Sequence, residues 1–146
     1  MPGTSRRRPL VLIVEDDSDL GVAIIEYLKD EGLDAKLARD GDQAMRMVDS
    51  LRPAVVVLDL MMPRRDGFSV LRELRSDGRI ASLPVIVVTA IFGLSERLYA
   101  TELGAADYVT KPFTLEDLYA RIVALLPAEA RRLGARPPPP KQADEP

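Results

Sequence analysis

Short runs of apolar residues alternate along this chain with longer stretches in which apolar residues return every three or four positions. Five runs have the length of a β-strand and lie at 10–14, 33–38, 54–58, 85–88 and 108–109. The first, third and fourth runs are unbroken, as in strands that are covered on both faces of a parallel sheet. The second run alternates with charged residues, which predicts a partly wet strand at an edge of the sheet.

The stretches between the runs have the apolar spacing of helices that pack one face against a sheet. Their apolar positions are Leu20, Ile24 and Leu28; Ala44, Met47, Val48 and Leu51; Phe68, Leu71 and Leu74; Leu94, Leu98 and Leu103; and Leu118, Ile122 and Leu125. We expect helix boundaries at Ser18, as the cap of the first helix, and at Gly32, Asp40 and Gly104, and strand starts after Pro53 and Pro84. The strict alternation predicts an α/β domain, in which a five-stranded parallel sheet with right-handed crossovers carries five helices on both faces.

The length of 146 residues fits one domain with short tails. We assign residues 10–127 to the folded domain and residues 1–9, which contain Arg6, Arg7 and Arg8, to a basic N-terminal arm. Residues 128–146 include four consecutive prolines and few apolar residues, a composition that cannot build a core. Composition leaves two interpretations of this segment open: a disordered or extended tail, and a linker stub next to a second domain that was cut away or lost.

Charge and composition exclude several functions. The net charge is −3 and the pI is about 5.1, so the chain has no overall basic field, and we expect no direct binding to nucleic acid. Cys and His are both missing, which removes thiolate chemistry and the commonest general base. The apolar runs are too short for a signal peptide or for the roughly 20 residues of a bilayer span, so we expect a cytoplasmic protein without a membrane segment.

Polar side chains lie at the carboxyl ends of the predicted strands, where open parallel sheets place their working sites. Glu15 and Asp16 follow the first strand, Asp59 ends the third, Thr89 ends the fourth, and Lys111 follows the fifth. Three carboxylates in one partly buried pocket repel each other and therefore favour a cation, and oxygen ligands without His favour Mg²⁺. A carboxylate nucleophile, Mg²⁺, a lysine and a hydroxyl are the parts that phosphoryl transfer to an aspartate requires.

Four segments, LVLIVEDDSDL, VVVLDLMMPRRDG, VIVVTA and GAADYVTKPF, resemble the motifs of the receiver domains of bacterial two-component response regulators. The resemblance covers residues 10–126, and the spacings from Asp59 to Thr89 (30 residues) and from Thr89 to Lys111 (22 residues) are those of the family. It implies a flavodoxin-like (βα)5 fold with strand order 2-1-3-4-5. It also implies a switch that accepts a phosphoryl group from a histidine kinase or a histidine phosphotransfer protein, and that catalyses only its own phosphorylation and dephosphorylation.

The resemblance also implies roles for individual residues of the pocket. Asp59 is expected to be the phosphoacceptor. Asp16 is expected to bind Mg²⁺ directly and Glu15 through a water molecule, and Met61 is expected to offer its backbone carbonyl to the metal. The glutamate at position 15 stands where many members have aspartate, a common variant that should leave metal binding intact.

Further roles concern the phosphoryl group and the response to it. Thr89 and Ala90 are expected to bind phosphoryl oxygens through a hydroxyl and an amide, and Lys111 is expected to pair with the phosphorylated aspartate. A cis peptide bond is expected before Pro112. Thr89 and the aromatic Tyr108 are the expected switch residues, which move together when the aspartate is phosphorylated.

The resemblance further suggests a partner face on the fourth helix, fifth strand and fifth helix, where DNA-binding members of the family form two-fold dimers through ion pairs. Arg97 with Asp117 and Asp107 with Arg121 match two of these pairs, but other charged positions of the pattern are not filled. Exposed charges at helical spacing are also typical of a solvated surface. The face therefore fits either a second copy or a different downstream protein.

Two other functions compete with this interpretation. A phosphatase of the haloacid dehalogenase type also uses an aspartate nucleophile and Mg²⁺, but it needs a second aspartate two residues later, where this chain has Met61. A pseudo-receiver binds partners without phosphorylation and usually lacks the acceptor, a metal ligand or the lysine. All of these residues are present here.

Overall fold

Strands and helices alternate along the chain in the computed structural model, which describes residues 8–62, 66–91 and 93–128. The strands are β1 (Leu10–Val14), β2 (Asp34–Ala38), β3 (Val55–Leu58), β4 (Val85–Thr89) and β5 (Asp107–Thr110). The helices are α1 (Ser18–Asp30), α2 (Gly41–Leu51), α3 (Gly67–Ser76), α4 (Leu94–Glu102) and α5 (Leu115–Leu125), with a 3₁₀ turn at Arg79–Ala81. The predicted elements are all present, and their ends differ from the prediction by one or two residues.

All five strands are parallel, and they form one sheet in the order β2-β1-β3-β4-β5. The predicted fold class and strand order are therefore confirmed, as is the position of β2 at an edge. The chain moves outward from β1 to β2 and then crosses to β3 on the other side of β1. The loops after β1 and β3 consequently diverge and leave a crevice at the carboxyl ends of these two strands.

The core has two layers, one on each face of the sheet, because successive side chains of a strand point to opposite faces. Leu12 and Val14 of β1 belong to the layer that α2, α3 and the buried Ala100 of α4 cover. Val11 and Ile13 belong to the layer under α1 and α5. Burial on both faces explains why the central strands are continuous apolar runs in the sequence.

Most predicted helix boundaries are confirmed. The Asp40 side chain accepts a hydrogen bond from the Gln43 amide at the start of α2, and Gly32 and Gly104 follow their helices with φ values of 97° and 105°. The predicted cap of the first helix is wrong. Asp17, not Ser18, caps α1, because its carboxylate accepts hydrogen bonds from the amides of Asp19 and Leu20.

The apolar spacing of α4 does not mark its buried face. Leu94 and Leu98 are 71% and 54% exposed, whereas the buried side chain of this helix is the smaller Ala100. Two large apolar side chains one turn apart therefore form an exposed stripe on α4.

Two predicted segments lie mostly outside the described residues: the basic arm at 1–9 and the proline-rich segment at 128–146. Within the described part of the chain, the helices are too short and too polar to cross a bilayer.

Candidate phosphorylation and metal site

The ladder between the strands extends one residue past β1 and β3 and places two carboxylates at the crevice. The Glu15 amide donates to the Ala38 carbonyl (2.9 Å), and the Asp59 amide donates to the Val14 carbonyl (3.0 Å). Both side chains are buried, with 4% of each residue exposed, whereas Asp16 is exposed. The backbone of the sheet thus fixes Glu15 and Asp59 directly.

The three predicted metal-binding carboxylates converge in the structure. Glu15, Asp16 and Asp59 each offer one oxygen, and these oxygens all lie within 4.8 Å of one another. Three carboxylates with no nitrogen or sulfur donor form a hard donor set, which suits Mg²⁺ because this ion binds oxygen and is usually held by one or two carboxylates together with a phosphate oxygen. The residues present therefore fit the metal that the sequence predicts.

Lys111 closes the pocket from the side of β5. Its Nζ donates to Glu15 Oε1 and to Asp59 Oδ2, at 3.0 Å in each case. The peptide bond between Lys111 and Pro112 is cis, as predicted. One ammonium group therefore bridges the two buried carboxylates.

The charges of the pocket shift the pKa values of its members. Burial raises the pKa of Glu15 from 4.5 to about 6; the hydrogen bond from Lys111 opposes this rise, and the charge of Asp59 adds to it. Burial alone would lower the pKa of Lys111, but its hydrogen bonds and attraction to Glu15 and Asp59 outweigh burial, and the pKa is raised. The lysine is consequently charged at neutral pH, whereas Glu15 is half protonated near pH 6.

A turn after β3 orients the Asp59 carboxylate. The Met61 amide donates to Asp59 Oδ1 at 3.0 Å, while Lys111 binds Oδ2. The Met61 side chain is 56% exposed, so the sequence at this position is not constrained by packing. Both oxygens of Asp59 thus have a defined hydrogen-bond donor.

Thr89 and Tyr108 meet at the backbone of Ile91, a contact that the sequence does not reveal. The Ile91 amide donates to Thr89 Oγ1 at 3.4 Å, and the Tyr108 hydroxyl donates to the Ile91 carbonyl at 2.6 Å. Thr89 is fully buried and Tyr108 is 6% exposed, whereas Ala90 is exposed. Burial and the negative charge of Glu96 raise the pKa of Tyr108, which keeps its hydroxyl a donor.

The charged residues predicted for the partner face pair within the chain. Arg121 donates from Nη1 to both oxygens of Asp107 (2.8 and 2.9 Å) and from Nε to Asp117 Oδ2 (2.9 Å). The guanidinium of Arg97 lies over the ring of Tyr108, 5.7 Å from its centroid. Arg97 of α4 therefore contacts Tyr108 of β5 within this face.

The fold and the pocket together define a doubly wound α/β domain with an acidic site at its topological switch point. The sequence profile of the response regulator receiver domain family matches residues 11–123, and the chain belongs to this family. Phosphorylation on an aspartate is typical of its members. The predicted family is confirmed.

Individual relatives agree with this assignment. The response regulator MprA of Mycolicibacterium vanbaalenii is 46% identical over 116 residues, which are 80% of this chain and 49% of that protein. The receiver domain of Francisella response regulator 1452 has a TM-score of 0.77 and 31% identity, covering 86% of this chain and 98% of that one. The BeF3-activated N-terminal receiver domain of Klebsiella pneumoniae RstA has a TM-score of 0.73 and 30% identity, covering 79% and 96%. The chain spans about half the length of the curated relatives it matches.

Proposed function

We propose that Asp59 is the phosphoacceptor of this receiver domain. The observation that carries the proposal is the pair of hydrogen bonds to its carboxylate, from the Met61 amide and from Lys111 Nζ, which fix the nucleophile at the open crevice. A carboxylate oxygen of Asp59 attacks phosphorus, an O–P bond forms, and the bond from phosphorus to the donor breaks. With a phosphohistidine donor on a histidine kinase or phosphotransfer protein, the leaving group is the imidazole.

The same pocket would hold Mg²⁺, with Asp16 as a direct ligand, Glu15 as a ligand through water, and the Met61 carbonyl as a further oxygen. The convergence of the three carboxylates supports this assignment. When bound, the metal neutralises charge on the phosphoryl oxygens during transfer. Lys111 adds a positive charge beside the acceptor and pairs with the phosphorylated aspartate. These groups catalyse phosphorylation and dephosphorylation of the chain itself.

The Thr89 hydroxyl and the Ala90 amide bind the phosphoryl oxygens in this proposal. When Thr89 turns toward the phosphoryl group, its Oγ1 leaves the Ile91 amide, and the residue whose carbonyl accepts from the Tyr108 hydroxyl loses its hydrogen bond to Thr89. The change therefore passes from Thr89 through Ile91 to Tyr108 and on to Arg97, which lies over the ring. Thr89 and Tyr108 are the switch residues of this pathway.

The output face comprises α4, β5 and α5, and its partner is a second copy of the chain or a downstream protein in the cytoplasm. Because Arg121 already pairs with Asp107 and Asp117 within the chain, exchanging these pairs across an interface gains little free energy. The exposed stripe of Leu94 and Leu98 supplies the apolar surface that an interface needs. The apolar contacts of Leu94 and Leu98 therefore drive association, and the ion pairs of Arg121 determine the orientation of the partner.

Acetyl phosphate with Mg²⁺, followed by intact mass measurement, tests the acceptor. Wild-type protein is expected to gain one phosphoryl group that alkali and hydroxylamine remove, and Asp59→Asn is expected to gain none, because an amide cannot form the acyl phosphate. Asp19→Asn, at an exposed aspartate in the first turn of α1, is the matched control and should label like the wild type. A labile phosphate on Asp59→Asn would show that the acceptor lies elsewhere.

A further inference from the structure

Gly67, the first residue of α3, packs against the backbone of the acceptor residue. Its amide donates to the Leu60 carbonyl at 3.1 Å, and the residue is buried. A Cβ atom at Gly67 would lie 2.4 Å from the Asp59 carbonyl oxygen, 2.7 Å from Leu60 Cα and 3.0 Å from the Asp59 carbonyl carbon. The start of α3 therefore touches the peptide unit that follows the acceptor.

The contact excludes any side chain for reasons of space alone. Gly67 is not among the glycines with a positive φ, so an alanine there could adopt the same backbone angles. The atoms that its Cβ would meet are all backbone, and no change of rotamer can move them. Ordinary contact between such atoms requires about 3.5 Å, so the start of α3 and the Asp59–Leu60 peptide would have to separate by roughly 1 Å.

The geometry points to Gly67 as a positioning residue for phosphorylation, an inference that rests on the proposed role of Asp59. The peptide unit just before the one in contact with Gly67 is held to β1 by the hydrogen bond from the Asp59 amide to the Val14 carbonyl. It leads directly into the turn in which the Met61 amide orients the Asp59 carboxylate. The close approach of α3 thus sets the acceptor oxygens, and with them the carboxylate and carbonyl oxygens that bind Mg²⁺.

Gly21 provides a matched control. It is also a buried glycine in a helix, but its Cβ would meet Leu37 Cδ1 at 2.7 Å, the flexible end of a side chain on β2. Gly21→Ala therefore disturbs packing and stability without moving the acceptor. If Gly67 served stability alone, each of the two substitutions would lower the phosphorylation rate in proportion to its effect on the free energy of unfolding.

The experiment compares wild type, Gly67→Ala and Gly21→Ala below their unfolding temperatures, with Mg²⁺ affinity from titration calorimetry and phosphorylation rate from acetyl phosphate labelling. Gly67→Ala is expected to lower the rate by about ten- to a hundredfold, as misplacement of a reacting group by about 1 Å does, and to weaken Mg²⁺ binding. Gly21→Ala is expected to stay within about twofold of the wild type in both measurements. Retention of rate and affinity in Gly67→Ala overturns the inference, and so does an equal loss in both variants.

A further variant covers the case in which Gly67→Ala does not fold. Asp66→Ala removes the carboxylate that accepts from the Ser69 amide and caps α3, which loosens the first turn of the helix without adding an atom at the contact. A smaller loss of Mg²⁺ affinity and rate in this variant supports the inference, and unchanged values overturn it. Failure of the proposed acceptor is recognised separately, because then either Asp59→Asn still gains a labile phosphate or the wild type itself gains none.

Discussion

The protonation of Glu15 links the pocket to the stability of the domain. Its pKa in the folded chain is about 6, above the ordinary value of 4.5, so the folded state holds this proton more tightly than the unfolded state. Between about pH 4.5 and 6, the contribution of Glu15 to the free energy of unfolding therefore decreases as the pH rises, by roughly 2 kcal/mol in total. Below pH 4.5 the contribution is fully present.

Comparison of metal-free wild type with Glu15→Gln by urea unfolding at a series of pH values isolates this contribution, because glutamine keeps the shape but has no proton to lose. We expect the free energy of unfolding of the wild type to fall relative to Glu15→Gln between pH 4.5 and 6. Saturating Mg²⁺ should reverse this relative fall, since a cation favours the ionised carboxylate. A constant difference across this range would contradict the raised pKa.

The residues of the pocket could be predicted from the sequence because each one lies at or just after the carboxyl end of a strand. Once the parallel sheet is predicted, Glu15, Asp59 and Lys111 must meet at one edge. The predicted cap of α1, Ser18, is one residue away from the observed cap, Asp17. Both residue types are good helix caps, and only the backbone shows where the helix begins.

Contacts between elements were not predictable from local patterns. The shared bonds of Thr89 and Tyr108 to Ile91, and the approach of Gly67 to Asp59, depend on how helices seat on the sheet rather than on any spacing in the chain. The sequence does place Gly67 in a motif, but only the packing shows which atoms would clash.

At the scale of elements, α4 depends on its neighbour α3. Its N-terminal boundary residue, Gly93, has no side-chain cap, and its last turn has no basic residue of its own. Arg75 of α3 instead donates to the Glu102 carbonyl at 2.9 Å, and the rings of Phe68 and Tyr99 lie 5.2 Å apart between the two helices. The carboxyl end of α4 is thus stabilised by a charge from another helix.

Arg75→Ala should therefore loosen the end of α4 while leaving the sheet unchanged. Loss of a charge at a helix carboxyl terminus predicts that hydrogen exchange at the Leu103 and Gly104 amides speeds up by about two- to fivefold. Arg46→Ala, at an exposed arginine of α2, is the control. Equal exchange rates at these amides in the wild type and Arg75→Ala would mean that the bond contributes nothing to α4.

The exposed leucines of α4 also show the limit of apolar periodicity. Spacing at Leu94, Leu98 and Leu103 correctly predicted a helix, but the pattern cannot distinguish a face that packs inside the domain from one that is available to a partner. The small Ala100 lets α4 lie close to the sheet with little apolar surface of its own.

At the scale of the whole molecule, self-association measurements test whether apolar contacts or ion pairs drive association through the partner face. In sedimentation experiments with beryllofluoride and Mg²⁺ at tens of micromolar, we expect wild type to form a two-fold dimer. Leu98→Gln should weaken it by roughly tenfold or more, because a two-fold interface contains each substitution twice. Arg121→Ala should have a smaller effect, since its ion pairs are already satisfied within the chain.

Val22→Gln is the control for general loss of apolar surface, because Val22 is 47% exposed and lies on α1, which is not one of the elements of this face. If the activated protein stays monomeric in low and high salt, the face serves a different protein. If Val22→Gln weakens the dimer as much as Leu98→Gln, α4 is not the centre of the interface.

Because Lys111 bridges Glu15 and Asp59, we expect the domain to fold without a bound metal ion. Structural metal sites hold a chain together, and chelators unfold such proteins. Here an ammonium group of the chain already offsets part of the repulsion between the buried carboxylates. We therefore expect Mg²⁺ to serve phosphoryl transfer rather than folding, so that the protein can be stripped with EDTA, stored and reloaded without refolding.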